Sequence, residues 1–186
     1  MPSEIPRRDL VQADEMKALA HPLRQRILYH LAFAGSASPT SVAQVFGEST
    51  GSTSYHLRQL ARFGFVEEDR ERSHGRERWW RIIPLDLRAS PDAEESEELT
   101  GQLRHMRLER DRALVDRYAA NRHRFGELAD AAMFSSSALH LTESELRRFT
   151  EEYIQLVKRW WCPADERPAD AVPVAALFYA FPWPGE

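Results

Sequence analysis

The sequence has one cysteine, Cys162, and two lysines, Lys17 and Lys158, in 186 residues. A single thiol excludes an intrachain disulfide and a cysteine-rich zinc site. The lack of lysine leaves arginine as nearly all of the 25 cationic residues. That bias fits a GC-rich coding genome and is not itself a nucleic-acid signal. No apolar run approaches the roughly 20 residues that span a bilayer. The opening MPSEIPRRDL lacks the apolar centre of a signal peptide. The expectation is a cytoplasmic chain with no membrane partner. Nothing has the spacing of a Ser-His-Asp set, a carboxylate pair, a phosphate-cradling glycine loop or a metal-ligand cluster, so neither an enzyme nor a cofactor is expected.

What is there begins with charge. The net value of −4 hides an asymmetry. Residues 1–90 carry 13 Lys+Arg against 11 Asp+Glu, and residues 91–186 carry 12 against 18. The basic half is where phosphates could approach, although an excess of two charges is by itself no more than a solvated surface.

The periodicity of the first half is helical and well punctuated. Residues 14–33 read as helix interrupted once, at Pro22, which fits the first turn of a new helix. Leu23, Ile27, Leu28 and Leu31 then recur at spacings of three and four. Gly35 ends that helix. Ser38-Pro39 opens a short helix to about residue 46, which Gly47 stops. Ser49 caps a further helix over about 50–63, with Leu57, Leu60 and Gly64 on one face. Two short helices across a tight turn, after an amphipathic one, form a helix-turn-helix. Strand patterns follow at 65–70 and 78–83, joined by the turn residues Ser73, His74 and Gly75, so the pair reads as a wing.

Three strings in this order are similar to one known family. MKALAHPLRQRIL resembles the opening helices of ArsR-type regulators, STGSTSYHLRQLARFGFVEE resembles their recognition helix, and GRERWWR resembles the second wing strand of a branch common in GC-rich bacteria. The resemblance covers about residues 10–85. It implies a homodimeric repressor that binds double-stranded DNA. Metal-sensing members carry a Cys-x-Cys-type site or a carboxylate/His set. Here residues 38–49 have no Cys or His, and His105 and His123 would stand about 27 Å apart along one helix. A non-metal-sensing branch is expected.

At about 100° per residue, Leu57 and Leu60 define the buried side of the recognition helix. Tyr55, Arg58, Gln59 and Arg62 then point outward, with Thr50, Ser52 and Ser54 on the first turns. Arginine can read guanine and glutamine adenine by paired hydrogen bonds. Small hydroxyls at a helix tip suit phosphates. His56 lies at the edge of the buried side and suits a structural role as well as a base contact. Arg72, His74 and Arg76 on the wing tip, over residues 70–78, suit a minor groove or phosphates. Trp79 and Trp80 alternate, so one should face the core.

The fold expected is mainly α with a β wing, in the α+β class. A winged helix-turn-helix domain over 10–88 precedes a region at 92–186, with an acidic linker near 89–98. A long helix over about 93–133, broken near Asn121 or Gly126, offers Leu99, Leu103, Met106 and Leu114 as a dimerisation seam. Strands are expected at 134–141 and 172–179, and a helix to about residue 161, opened by the Thr142/Glu145 capping box, between them, making a small α+β region. Its late aromatics are either the core of that region or the lining of a pocket for an apolar small-molecule effector. A different class of function, a winged-helix adaptor binding another regulator, would predict an acidic recognition helix. Residues 50–63 hold two arginines and no acid.

Overall fold

The computed structural model describes residues 5–73, 77–89 and 96–185. Its chain divides into two compact units, Ile5–Arg107 and one built on Leu108–Glu186. The division falls later than the acidic linker at 89–98, inside a continuous helix.

The first unit opens with β1 (Arg7–Leu10), α1 (Ala13–Leu19) and α2 (Pro22–Ala34). The break between the helices follows from Pro22 at the start of α2. His21 caps that start, its Nδ1 accepting the Leu23 N–H at 3.2 Å. Gly35 ends α2 at φ 85°, a backbone conformation that costs glycine little. Next come β2 (Ser36–Ala37), α3 (Pro39–Phe46) and α4 (Thr50–Arg62). Ser38 and Ser41 form a reciprocal capping box at the start of α3, and Ser49 accepts the Ser52 N–H at 3.1 Å to start α4. Each such cap contributes about 1 kcal/mol. The buried Thr53 hydroxyl donates to the Pro39 carbonyl at 2.8 Å, which ties α4 to the start of α3.

After α4 come β3 (Val66–Glu68), β4 (Trp80–Ile82) and β5 (Asp86–Ala89). β3 and β4 pair antiparallel, with Val66 opposite Ile82 and Glu68 opposite Trp80. This is the wing. β2 adds to the other edge of β4, so the sheet order is β2-β4-β3. β1 pairs in parallel with β5 in a second, two-stranded sheet. None of β1, β2 and β5 is evident from local pattern.

The core of this unit joins Met16, Leu19, Ile27 and Leu31 to Val42, Leu57, Leu60, Phe65 and Trp80. Trp80 faces inward, as the alternation requires, while Trp79 is half-buried beneath the Arg72 guanidinium. Arg8 fastens β1, donating to the Phe63 carbonyl at 2.8 Å and pairing with Glu15. The fold is the expected winged helix-turn-helix.

α5 (Ser96–Asn121) begins in this unit, where Leu99 and Leu103 pack in part against the core. It ends in the second unit. The long helix thus stops at Asn121, one of the two expected breaks. A 3-10 turn (Arg122–Phe125) and Gly126 at φ 54° separate it from the short α6 (Leu128–Ala131). α7 (Glu143–Trp160) starts at the expected Thr142/Glu145 capping box and is followed by a 3-10 turn (Ala164–Glu166).

Two expectations for the second unit are corrected. Residues 134–141 and 172–179 do not form strands, and among the described residues of this unit there is no sheet. Apolar runs supply β propensity, but a strand also needs a ladder partner. The second segment instead meets α7 through side chains, with Phe178 stacked on Tyr153 at 3.9 Å between ring centroids. Pro173 also withholds an N–H. Nor do the late aromatics make a core, because Trp160, Phe181 and Trp183 are 83%, 68% and 81% exposed. The α+β class itself holds through the two sheets of the first unit.

Candidate nucleic-acid interface

The capped start of α4 and the buried Thr53, Leu57 and Leu60 fix which side of the helix faces solvent. Thr50, Tyr55, Arg58 and Arg62 are exposed, and Ser52, Ser54 and Gln59 are half-buried. The face inferred from periodicity is therefore the outer face. Arg58 folds back along its helix, its Nε donating to the Ser54 carbonyl at 3.2 Å. That bond is at the surface, and a competing acceptor could replace it at little cost.

Arg58 has a neighbour that sequence reasoning missed. Pro39, Ser54, Arg58, Arg78 and Trp80 line one shallow depression between the helix-turn-helix and the wing. Arg78 precedes β4 by two residues, so alternation carries it to the face of Trp80, toward α4. That parity was available in the string ERWWR. Two guanidiniums and a serine hydroxyl around an open depression form a site for an anionic oxygen cluster such as a phosphate.

The wing contributes Arg72, exposed, with its guanidinium carbon 5.9 Å from the centre of the Trp79 ring. Ser73 accepts the Trp79 N–H at 3.0 Å and so closes the base of the hairpin. His74 and Arg76 lie outside the described residues. On the outer face of the sheet, Arg81 donates to Glu67 at 2.8 Å, a hydrogen bond that holds its guanidinium above the usual range. That pairing makes Arg81 a poorer phosphate contact than Arg58, Arg72 or Arg78.

His56, left open by the sequence, packs against His21 with ring centroids 4.4 Å apart. Its Nδ1 is buried without a hydrogen-bond partner among the described residues. Burial lowers the affinity of both imidazoles for protons, and the nearby Arg24 lowers it further, against a small opposing effect of Glu48. For His56 the adjacent His21 acts in the same direction. The pair joins the start of α2 to the inner edge of α4, which is a structural role.

Of the seams proposed for self-association, Leu99 and Leu103 are partly occupied by their own unit's core, while Met106 and Leu114 are half-buried. No helix described here is long and apolar enough to cross a membrane.

Residues 19–69 match a family of helix-turn-helix domains. No curated protein matches the chain. Among solved structures, the chain is similar to a fragment of a possible transcriptional regulatory protein from Mycobacterium bovis. The two are 25% identical, with a TM-score of 0.36, over 53% of this chain and 89% of that one. It is also similar to reduced HlyU from Vibrio cholerae, at 23% identity and a TM-score of 0.33, over 48% of this chain and 84% of that one. A possible transcriptional regulator for arsenical resistance matches at 27% identity and a TM-score of 0.34, over 56% of this chain and 97% of that one. Over residues 19–69 the chain carries a domain of the helix-turn-helix family, set in a winged helix-turn-helix unit like that of ArsR-type regulators.

Proposed function

We propose that the protein is a sequence-specific, homodimeric DNA-binding repressor that reads a palindromic operator. In this reading α4 enters the major groove, and the wing lies on the minor groove or the phosphates. Arg58, Gln59 and Arg62 reach base edges, with Tyr55 beside them. Thr50, Ser52 and Ser54 approach the backbone at the helix tip. Arg72, together with His74 and Arg76 of the wing tip, holds the duplex from the side.

The observation that carries this reading is the shared depression, where Arg58 of the helix and Arg78 of the wing come to one place. A phosphate there would be held by both parts of the fold at once. The outer face of α4 also holds no acidic residue, which disfavours an adaptor that binds a basic partner. Met106 and Leu114 on α5 remain available for a second copy.

The test begins with selection of an operator from random duplexes by the full chain, without added metal. Salt titrations of variants on operator and scrambled DNA follow. Arg58→Ala should cost about 1–3 kcal/mol on the operator and much less on scrambled DNA. Arg72→Ala should weaken both duplexes alike and lower the salt slope by about one unit per lost phosphate contact. If no sequence is enriched and neither variant changes binding, the reading fails and the adaptor takes its place.

A further inference from the structure

The second unit is under-buried for its length. Among its described residues only Asp111 and Ala129 are buried, and α7 buries none of its 18 residues. Leu146, Phe149, Tyr153, Val157 and Trp160 nevertheless follow one side of that helix at spacings of three and four. Phe149 and Tyr153 meet Phe178 of the extended segment beside them. The rest of the stripe, and Val174 on that segment, face solvent.

The total surface gives the scale. The chain exposes 13868 Å². The 14 undescribed residues can account for at most about 2,300 Å² of it, the surface of a fully extended chain of that length. Two fully separate compact bodies with the sizes of the described units would expose about 10,400 Å² together. About 1,100 Å² remains in excess, more than the roughly 800 Å² that each partner buries in a standard interface. The first unit has a complete core, so the excess belongs to the second.

The charge pattern of α7 identifies the occupant. Its first turn carries Glu143 and Glu145 and its last turn Lys158 and Arg159. Two copies related by a two-fold axis across the helix run antiparallel, so each acidic start meets a basic end and the helix dipoles oppose. A surface that complements itself in this way fits an isologous contact. The geometry points to a second copy of this chain as the cover. α7 pairs antiparallel with α7 of the partner, and the outer stripe through Trp160, with Val174, forms the apolar seam.

This inference rests on the homodimeric reading and adds a seam beyond α5. Light scattering on the full chain at micromolar concentration separates the two. Wild type should be a dimer, and Trp160→Glu and Val174→Glu should each weaken association by at least about tenfold with helix content unchanged. If both variants stay fully dimeric, this seam is wrong and the homodimer stands. In that case Met106→Glu should dissociate it. A monomeric wild type overturns both readings.

A second measurement holds even if those variants misfold. Glu143→Cys introduces a thiol that antiparallel pairing places near Cys162 of the other copy. A short bis-maleimide should then give covalent dimers in Glu143→Cys and none in wild type. Within one copy the two thiols stand about 28 Å apart, beyond its reach. Wild-type crosslinking through two Cys162 thiols would mean parallel helices. That result, or no crosslinking in either protein, overturns the proposal.

Discussion

Residues 5–107 and residues 108–185 are built from the same devices and hold together by different means. Both have well-capped helices, with Ser38 and Ser41 opening α3 and Thr142 and Glu145 opening α7. Only the first region adds a core, in which 14 buried apolar residues from five helices' and strands' worth of chain converge. The second relies on local helix bonds, the stack of Phe178 on Tyr153 and the bond from the Tyr179 hydroxyl to Asp111. Caps and propensity decide where a helix begins. Burial decides whether it stays in one place.

The largest effect should come from the core itself. Leu57→Ala, at a position with no exposed surface, should cost about 2–5 kcal/mol in denaturant unfolding followed at the first unit. Leu156→Ala, 42% exposed on α7, should change stability by about 0.5 kcal/mol or less at concentrations where the chain is monomeric. If the second copy covers α7, the cost of Leu156→Ala should rise with protein concentration and that of Leu57→Ala should not. Equal and concentration-independent costs would erase the distinction between the two regions.

Caps should give an intermediate effect of about 1 kcal/mol in each region, but it should register differently. Ser38→Ala removes a cap inside a cooperative core, so the midpoint of global unfolding should fall. Thr142→Ala removes one from a helix without a buried face, so hydrogen exchange of the first turns of α7 should speed up with little change in that midpoint. A shift of the same midpoint by both would mean that the two units unfold as one.

The capping signals are also where the sequence was most readable. Ser38-Pro39, Ser49 and the Thr142/Glu145 pair act over three residues, and α3, α4 and α7 begin where they indicate. The outward face of α4 was equally legible, since Leu57 and Leu60 lie one turn apart. What stayed hidden depends on distant chain. β1 exists because Arg7–Leu10 finds Asp86–Ala89, far along the sequence, and β2 because Ser36 and Ala37 reach the free edge of β4. The reverse error arose at 134–141 and 172–179, where apolar runs looked like strands but have no partner to pair with. Arg78 was passed over because only the fold brings it beside Arg58.

The smallest predicted effect concerns the two histidines that join α2 to α4. His21 and His56 are held below the ordinary value of 6.5, first by burial and then by Arg24, with each ring against the other. Protonation is thus harder in the folded chain than in the unfolded one. Linkage fixes the sign: stability is full above about pH 6.5 and falls as the pH drops through the lowered folded values. His30, buried beside the Phe46 ring and also shifted down, adds to the trend from the other side of α2. The comparison that isolates the pair is His21→Gln/His56→Gln against wild type, with unfolding midpoints measured at pH 7.5 and 5.5. Wild type should lose more stability than the double variant between those values, and DNA affinity should follow, because the strained contact sits on the inner edge of the recognition helix. Both rings keep some solvent, so water moderates their repulsion and the difference should be modest. An identical loss in the two proteins would assign the acid sensitivity to His30 or to the second unit.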